Sequence, residues 1–272
     1  MSVTAVDAEK VSEFKLEITH LVTVGCSWTF CQGLENKTQD GWPALTAKAL
    51  NIPLVNLGLP GVGNDCIQRR AYEYVYENLD TGSKPLFVIA WSQYWRKEVW
   101  QKKVFRDFRF NDFAPIMLKD ENDIKDPHEI SVLESWDYYS FVRRAYKYKL
   151  SLKNLFRSMQ IPYLMTDYAE NPCPPDDMEI FKKNFPGMYA GVNDDQYKIK
   201  DFYKLSHPYP RLPCGHDGKE AQVMLADYLV EQIKEKFGNY TFVNDKPFLT
   251  TREVMKQSKY HQKFPDWCTF QL

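Results

Sequence analysis

Apolar positions along this chain follow two rhythms, and where one gives way to the other marks the predicted elements. The run HLVTVG at 20–25, continuing to Ser27, is rich in β-branched residues and free of charge, as a strand covered on both faces must be. WPALTAKALN at 42–51 changes to helical spacing, with Pro43 suited to a first turn. PLVNLGLPG at 53–61 is a second short apolar run that ends in glycines, and from Asn64 to Leu79 the residues Ile67, Ala71, Tyr74 and Val75 restore the helical period. PLFVIAWS at 85–92 is a third strand, continuous in apolar character. Strand, helix, strand, helix, strand predicts a parallel sheet flanked by helices.

Residues 94–130 break this rhythm by mixing aromatics with charge, and are expected to form an excursion from the sheet. The helical pattern returns from Ser135 to about Met159, and IPYLMTDY at 161–168 supplies a fourth strand. A second excursion, 170–212, is rich in Pro, Asp and Tyr; the helix Lys219–Phe237 follows, and 240–272 has no clear period. A chain of 272 residues without internal repeats suits one α/β domain, residues 1–272, with two insertions and a carboxyl-terminal extension.

Composition narrows the function classes. Apolar residues make up 44% and charged residues 26%, enough for a sizeable core and too little polarity for disorder. The 35 basic and 36 acidic side chains nearly cancel, so no global field draws the chain to nucleic acid or to an anionic membrane, and neither is an expected partner. Charges at Asp7, Glu9, Lys10, Glu13 and Glu17 interrupt the first 20 residues, so no signal-peptide core is read there and a cytoplasmic location is expected. Six cysteines lie scattered without zinc-type pairing, consistent with reduced thiols and no metal. The aromatic share, 15%, is assigned mainly to the core, with a sugar site or protein interface as the other uses.

In open parallel sheets, loops and helix amino termini converge beyond the carboxyl ends of the strands, and ligands bind there. The predicted ends are Gly25–Thr29, Asn56–Gly63, Trp91–Tyr94 and Thr166–Asp167. A Ser at the first of these, Ser27, can present its hydroxyl beside backbone N–H groups, as a nucleophile next to an oxyanion hole would, or can simply cap the turn. A serine nucleophile needs a base. His20 begins the first strand, at the opposite end, and His128, His207 and His261 lie in loop-like segments. His216, in LPCGHDGKEAQVMLADYL, stands three residues before an amphipathic helix and is the best placed. Cys26 as nucleophile, or Cys26, Cys214 and His216 as metal ligands, is a competing reading that no paired ligand spacing supports. The Arg/Lys-aromatic segment 94–109 offers glycan or nucleic-acid contacts, but the balanced charge favours a solvated or partner-facing surface.

The run GCSWTFCQG, followed by GWPALTAKALNIPLVNLGLPGVGND, resembles the amino-terminal blocks of the SGNH (GDSL-like) hydrolase superfamily, including its phage- and bacterium-encoded members. Those blocks commonly read G-D-S-x-T, W-P-x-L-L-A-x-x-L and N-x-G-x-x-G, and His216 to Gln222 resembles the family's catalytic His with its last helix. The resemblance implies a three-layer α/β/α sandwich of SGNH/flavodoxin-like type and no cofactor. It also implies roles: Ser27 as nucleophile and, through its N–H, oxyanion donor; Gly61 N–H as a second donor; His216 as the base that later protonates the leaving alcohol.

Three positions depart from the pattern. Cys26 replaces the Asp after the first glycine, and Trp91-Ser92-Gln93-Tyr94 stands where the family has G-x-N-D, so that Gln93 is the side chain left to replace the Asn donor. Pro213 occupies the position of the Asp that orients the imidazole, which leaves a backbone carbonyl, Asp167 or Asp201 to hold the ring, since Asp217 is adjacent and would point away. The resemblance thus implies a serine esterase acting on an O-acyl ester such as an O-acetyl carbohydrate, with a small ester or glycan as substrate. The departures imply the alternative of a degenerate SGNH fold with protein assembly partners, a structural or binding component of a phage particle and so part of the virion.

Overall fold

The structure is a computed structural model that describes residues 17–78, 81–94, 96–100, 113–116, 138–168 and 175–243. A two-residue strand β1 (Glu17–Ile18) leads into β2 (His20–Gly25), a short helix α1 (Lys37–Asp40), α2 (Trp42–Ala49), β3 (Leu54–Asn56), α3 (Asn64–Asn78) and β4 (Pro85–Trp91). An antiparallel pair, β5 (Lys97–Trp100) and β6 (Phe113–Ile116), precedes α4 (Tyr138–Ser158) and β7 (Tyr163–Asp167). Then come α5 (Pro175–Asn184), α6 (Pro186–Asn193), α7 (Phe202–Ser206), α8 (Lys219–Phe237) and β8 (Thr241–Phe242).

The central sheet has the order β3-β2-β4-β7, and its pairings are all parallel. From β2 the chain steps one way to β3 and then back past β2 to β4. Right-handed crossovers taken in opposite directions place their helices on opposite faces. The strand residues divide accordingly: Leu21, Leu86, Val88 and Ala90 pack with Trp42, Ala47, Leu225 and Leu229 of α2 and α8. Val22, Val24, Phe87, Ile89 and Trp91 pack with Ile67, Ala71, Leu152 and Phe156 of α3 and α4. All of β4 is buried, as its unbroken apolar run predicts, and the three-layer α/β/α arrangement is the one expected.

The departures from the sequence reading have local causes. β2 stops at Gly25 rather than Ser27 because the next residues curl into a turn, with the N–H groups of Thr29 and Phe30 both donating to the Cys26 carbonyl. Excursion 170–212 contains α5, α6 and α7, too short to show a period, and α5 and α6 join α4 in a separate apolar cluster built on Tyr94, Phe141, Tyr146 and Phe181. Ion pairs and hydrogen bonds join α4 to β7 and to the segment after α6. Lys149 Nζ lies 2.5 Å from Asp167 Oδ1, while Asp195 receives Arg157 at 3.2 Å and the Tyr163 hydroxyl at 2.9 Å. Of the extension, β8 pairs in parallel with β1; residues 244–272, like 101–112 and 117–130 of the first excursion and 170–174 of the second, lie outside the described residues.

Candidate active site

The chain leaves β2 toward one edge of the sheet and β4 toward the other, so the strand order reverses between them and the loops at their carboxyl ends diverge and open a crevice. Gly25 makes the turn after β2 possible: a Cβ there would sit 2.0 Å from Thr29 Oγ1 and 2.9 Å from the Ala90 carbonyl. Ser27 follows on the curled segment and is 5% exposed. Among the described residues neither its N–H nor its hydroxyl makes a hydrogen bond.

The loop after β3 is fastened to this turn by one side chain. Asn56 Oδ1 accepts from Thr23 Oγ1 at 3.1 Å and from the Gly58 N–H at 2.9 Å, while its Nδ2 donates to the Thr29 carbonyl at 2.9 Å. Leu59 N–H adds a bond to the Gly25 carbonyl at 3.1 Å. Gly61 then takes φ +75°, a left-handed conformation that suits glycine, in open space and with its N–H unpartnered among the described residues. The loop after β4 is fastened in a similar way, because Asn64 at the start of α3 accepts from the Ser92 N–H at 2.8 Å and donates to the Ser92 carbonyl at 3.1 Å. Gln93 follows, half-buried, its side-chain amide without a partner among the described residues.

His216 reaches this edge from a tight loop. The Leu212 N–H donates to the His216 carbonyl and the Gly215 N–H to the Leu212 carbonyl, both at 2.8 Å. The imidazole packs against the indole of Trp28, ring centroids 4.9 Å apart, and Trp28 is the residue after Ser27. On the same indole lie the Tyr168 ring at 5.4 Å and the Arg211 guanidinium at 4.6 Å. Ser27 and His216 thus share the mouth of the sheet, although among the described residues no hydrogen bond joins them and Nδ1 of His216 is buried without a well-formed partner.

Burial holds the His216 imidazole below its ordinary proton affinity; the Cys214 carbonyl and Asp217 pull it up, and Arg96 and Arg211 push it down. A neutral imidazole, able to accept a proton, is the result. The Asp217 carboxylate does not orient the ring. It is buried, accepts from the Tyr168 hydroxyl at 2.8 Å and lies 3.7 Å from Arg211, and burial raises its pKa. Asp167 is taken by Lys149 and Asp201 lies 3.3 Å from Lys204, so neither of these carboxylates is free to orient the ring, and the Cys214 carbonyl acts on it as a backbone dipole.

The arrangement offers a hydroxyl, a neutral base and up to three unpartnered donors at one strand edge, the components of acyl transfer. His20 is at the far end, 2.7 Å from the Tyr74 hydroxyl; His207 packs on Tyr203; His128 and His261 lie outside the described residues. Among the described residues no three His, Cys, Asp or Glu side chains converge in a way that could hold a metal ion. Sequence reasoning missed the fastening role of Asn56 and the presence of Trp28, Arg96 and Arg211. Asn56 was within sight, since it opens the N-x-G-x-x-G block.

No family model and no curated protein matches the chain. Among solved structures it is similar to the psychrotrophic esterase EstA from a Pseudoalteromonas species inhibited by monoethylphosphonate, at 13% identity and TM-score 0.48, covering 81% of this chain and 99% of that one. It is similar to a member of the lipolytic G-D-S-L family from Veillonella parvula, at 12% identity and TM-score 0.42, with 81% and 98% covered. A family two carbohydrate esterase from Clostridium thermocellum, in complex with cellohexaose, matches at 15% identity and TM-score 0.43, over 83% of this chain and 66% of that one.

Proposed function

We propose that this chain is a serine ester hydrolase of the SGNH type that cleaves an O-acyl ester, O-acetyl carbohydrates being the first class to assay. Ser27 Oγ adds to the ester carbonyl while His216 takes its proton; the tetrahedral intermediate then expels the alcohol, which His216 protonates, and water repeats the cycle on the acyl-enzyme. The N–H groups of Ser27 and Gly61, with the Gln93 amide, receive the oxyanion. The observation that supports this reading is the packing of the His216 imidazole on Trp28, the residue after Ser27, with ring centroids 4.9 Å apart, and the fastening of both donor loops at the same strand edge. In ligand-free sites the nucleophile–base bond is often long and tightens with substrate.

The test is hydrolysis of p-nitrophenyl acetate and of acetylated oligosaccharides by the parent, Ser27→Ala and His216→Ala. Each variant is expected to lose roughly 10³-fold or more in turnover. Equal background rates from all three folded proteins would refute the esterase and leave the degenerate, binding role.

A further inference from the structure

The turn after β4 carries a charge that the proposed chemistry does not use. Arg96 closes this turn, its N–H donating to the Gln93 carbonyl at 3.3 Å. Its own carbonyl presses on the glycine loop so closely that a Cβ on Gly63 would sit 2.6 Å away. The backbone that carries Arg96 is therefore held on a double anchor, the Asn64–Ser92 amide pair on one side and the glycine loop on the other.

Its hydrogen bonding is incomplete. Nη1 donates to Ser92 Oγ at 3.2 Å, whereas Nε is buried with no partner. Arg211 and Lys149 each have a carboxylate nearby, Asp217 and Asp167; among the described residues no acid lies within ion-pairing distance of Arg96. A buried donor without an acceptor is costly. With Nη1 engaged and Nε buried, Nη2 is the guanidinium donor that makes no hydrogen bond among the described residues, and it can take an oxygen of a carboxylate, sulfate or phosphate. Between Gln93 and Gly63, Arg96 lies on the same strand edge as the donor loops, and its charge works against protonation of His216.

We propose that Arg96 is a specificity residue that binds an oxyanionic group on the substrate, so that the ester this site takes carries a negative charge in its non-reacting part. The inference rests on the esterase reading for its role in turnover, but binding of the anion stands apart from it.

Two measurements separate the readings. The first compares kcat/KM for p-nitrophenyl hemiglutarate and its neutral amide analogue, p-nitrophenyl 4-carbamoylbutyrate. The parent is expected to favour the anionic ester roughly 10- to 100-fold, and Arg96→Gln to bring the two within about threefold, with Arg96→Lys between them. Absence of preference in the parent overturns the proposal. So does an equal loss on both esters in Arg96→Gln, which would make Arg96 an oxyanion donor instead. The second follows the His216 ring by NMR while glutarate is added. Saturable binding that raises the imidazole pKa by about half a unit or more in the parent, and not in folded Arg96→Gln, is expected. An unmoved pKa overturns the anion site even if no ester is hydrolysed, whereas a raised one without hydrolysis refutes only the esterase.

Discussion

Asn56→Ala removes the side chain that joins β2, the turn after it and the glycine loop. Three hydrogen bonds disappear, and the groups left behind are the hydroxyl of fully buried Thr23, the Thr29 carbonyl and the Gly58 N–H. At about 1 kcal/mol for each neutral bond, and more for groups that water cannot reach, the loss is about 2–4 kcal/mol of folding stability. Thr23→Val, nearly isosteric, deletes one of the three and is expected to cost about 1 kcal/mol. Chemical denaturation of the parent, both single variants and the double variant measures these terms as a cycle. The double variant should fall short of the sum by about 1 kcal/mol, since the Thr23–Asn56 bond is lost only once. Turnover should suffer beyond stability, because Gly61 lies on the loop that is released, and kcat is expected to fall more than KM rises. If Asn56→Ala stays within 0.5 kcal/mol of the parent, or the cycle is additive, Asn56 does not fasten the loops.

Two further outcomes follow from the environment of His216. Because burial lowers its proton affinity, the acid limb of kcat/KM against pH should have its midpoint below the ordinary imidazole value of 6.5, activity falling as the ring protonates; a midpoint above 7 contradicts the packing described. Pro213→Asp places a carboxylate where the SGNH pattern has one: kcat should rise about tenfold or more and the acid limb move to higher pH, which steady-state profiles of the variant will show.

Legibility in the sequence followed the range of the interactions involved. β2, β4, α2, α3 and α8 were readable because each shows its period within its own span, and the two faces of β4 are both apolar for the same reason that it is central. The β1–β8 pairing joins Glu17 to Thr241, and two residues on either side carry no periodicity to betray it. Of the proposed site, Ser27, Gly61 and His216 are suggested by block patterns and Gln93 only by elimination. Arg96 was hidden in RKEVWQKK, where its neighbours are charged too; what sets it apart is Asn64 and Gly63, thirty residues earlier in the chain. The group near the His216 ring is a main-chain carbonyl, which any residue at position 214 would supply and no sequence pattern records.

That carbonyl also bears on which ester the site turns over. In the proposed mechanism proton transfer from Ser27 converts the imidazole to imidazolium, and a carboxylate in contact with the ring normally stabilises that cation. Here the Cys214 carbonyl supplies only a dipole, Asp217 is committed to Tyr168, and Arg96 and Arg211 oppose the developing charge. For a neutral ester the balance disfavours the imidazolium, and slow turnover is expected. An ester whose anionic group rests on Arg96 cancels one of the opposing charges and places a negative one near the ring, so it makes up part of what Pro213 withholds. The two effects act on the same imidazolium and therefore overlap: the gain from Pro213→Asp should be larger on the neutral ester than on the anionic one. A gain of equal size on both would mean that Arg96 and the imidazole do not share a field, and that the anionic group, if bound, serves affinity alone.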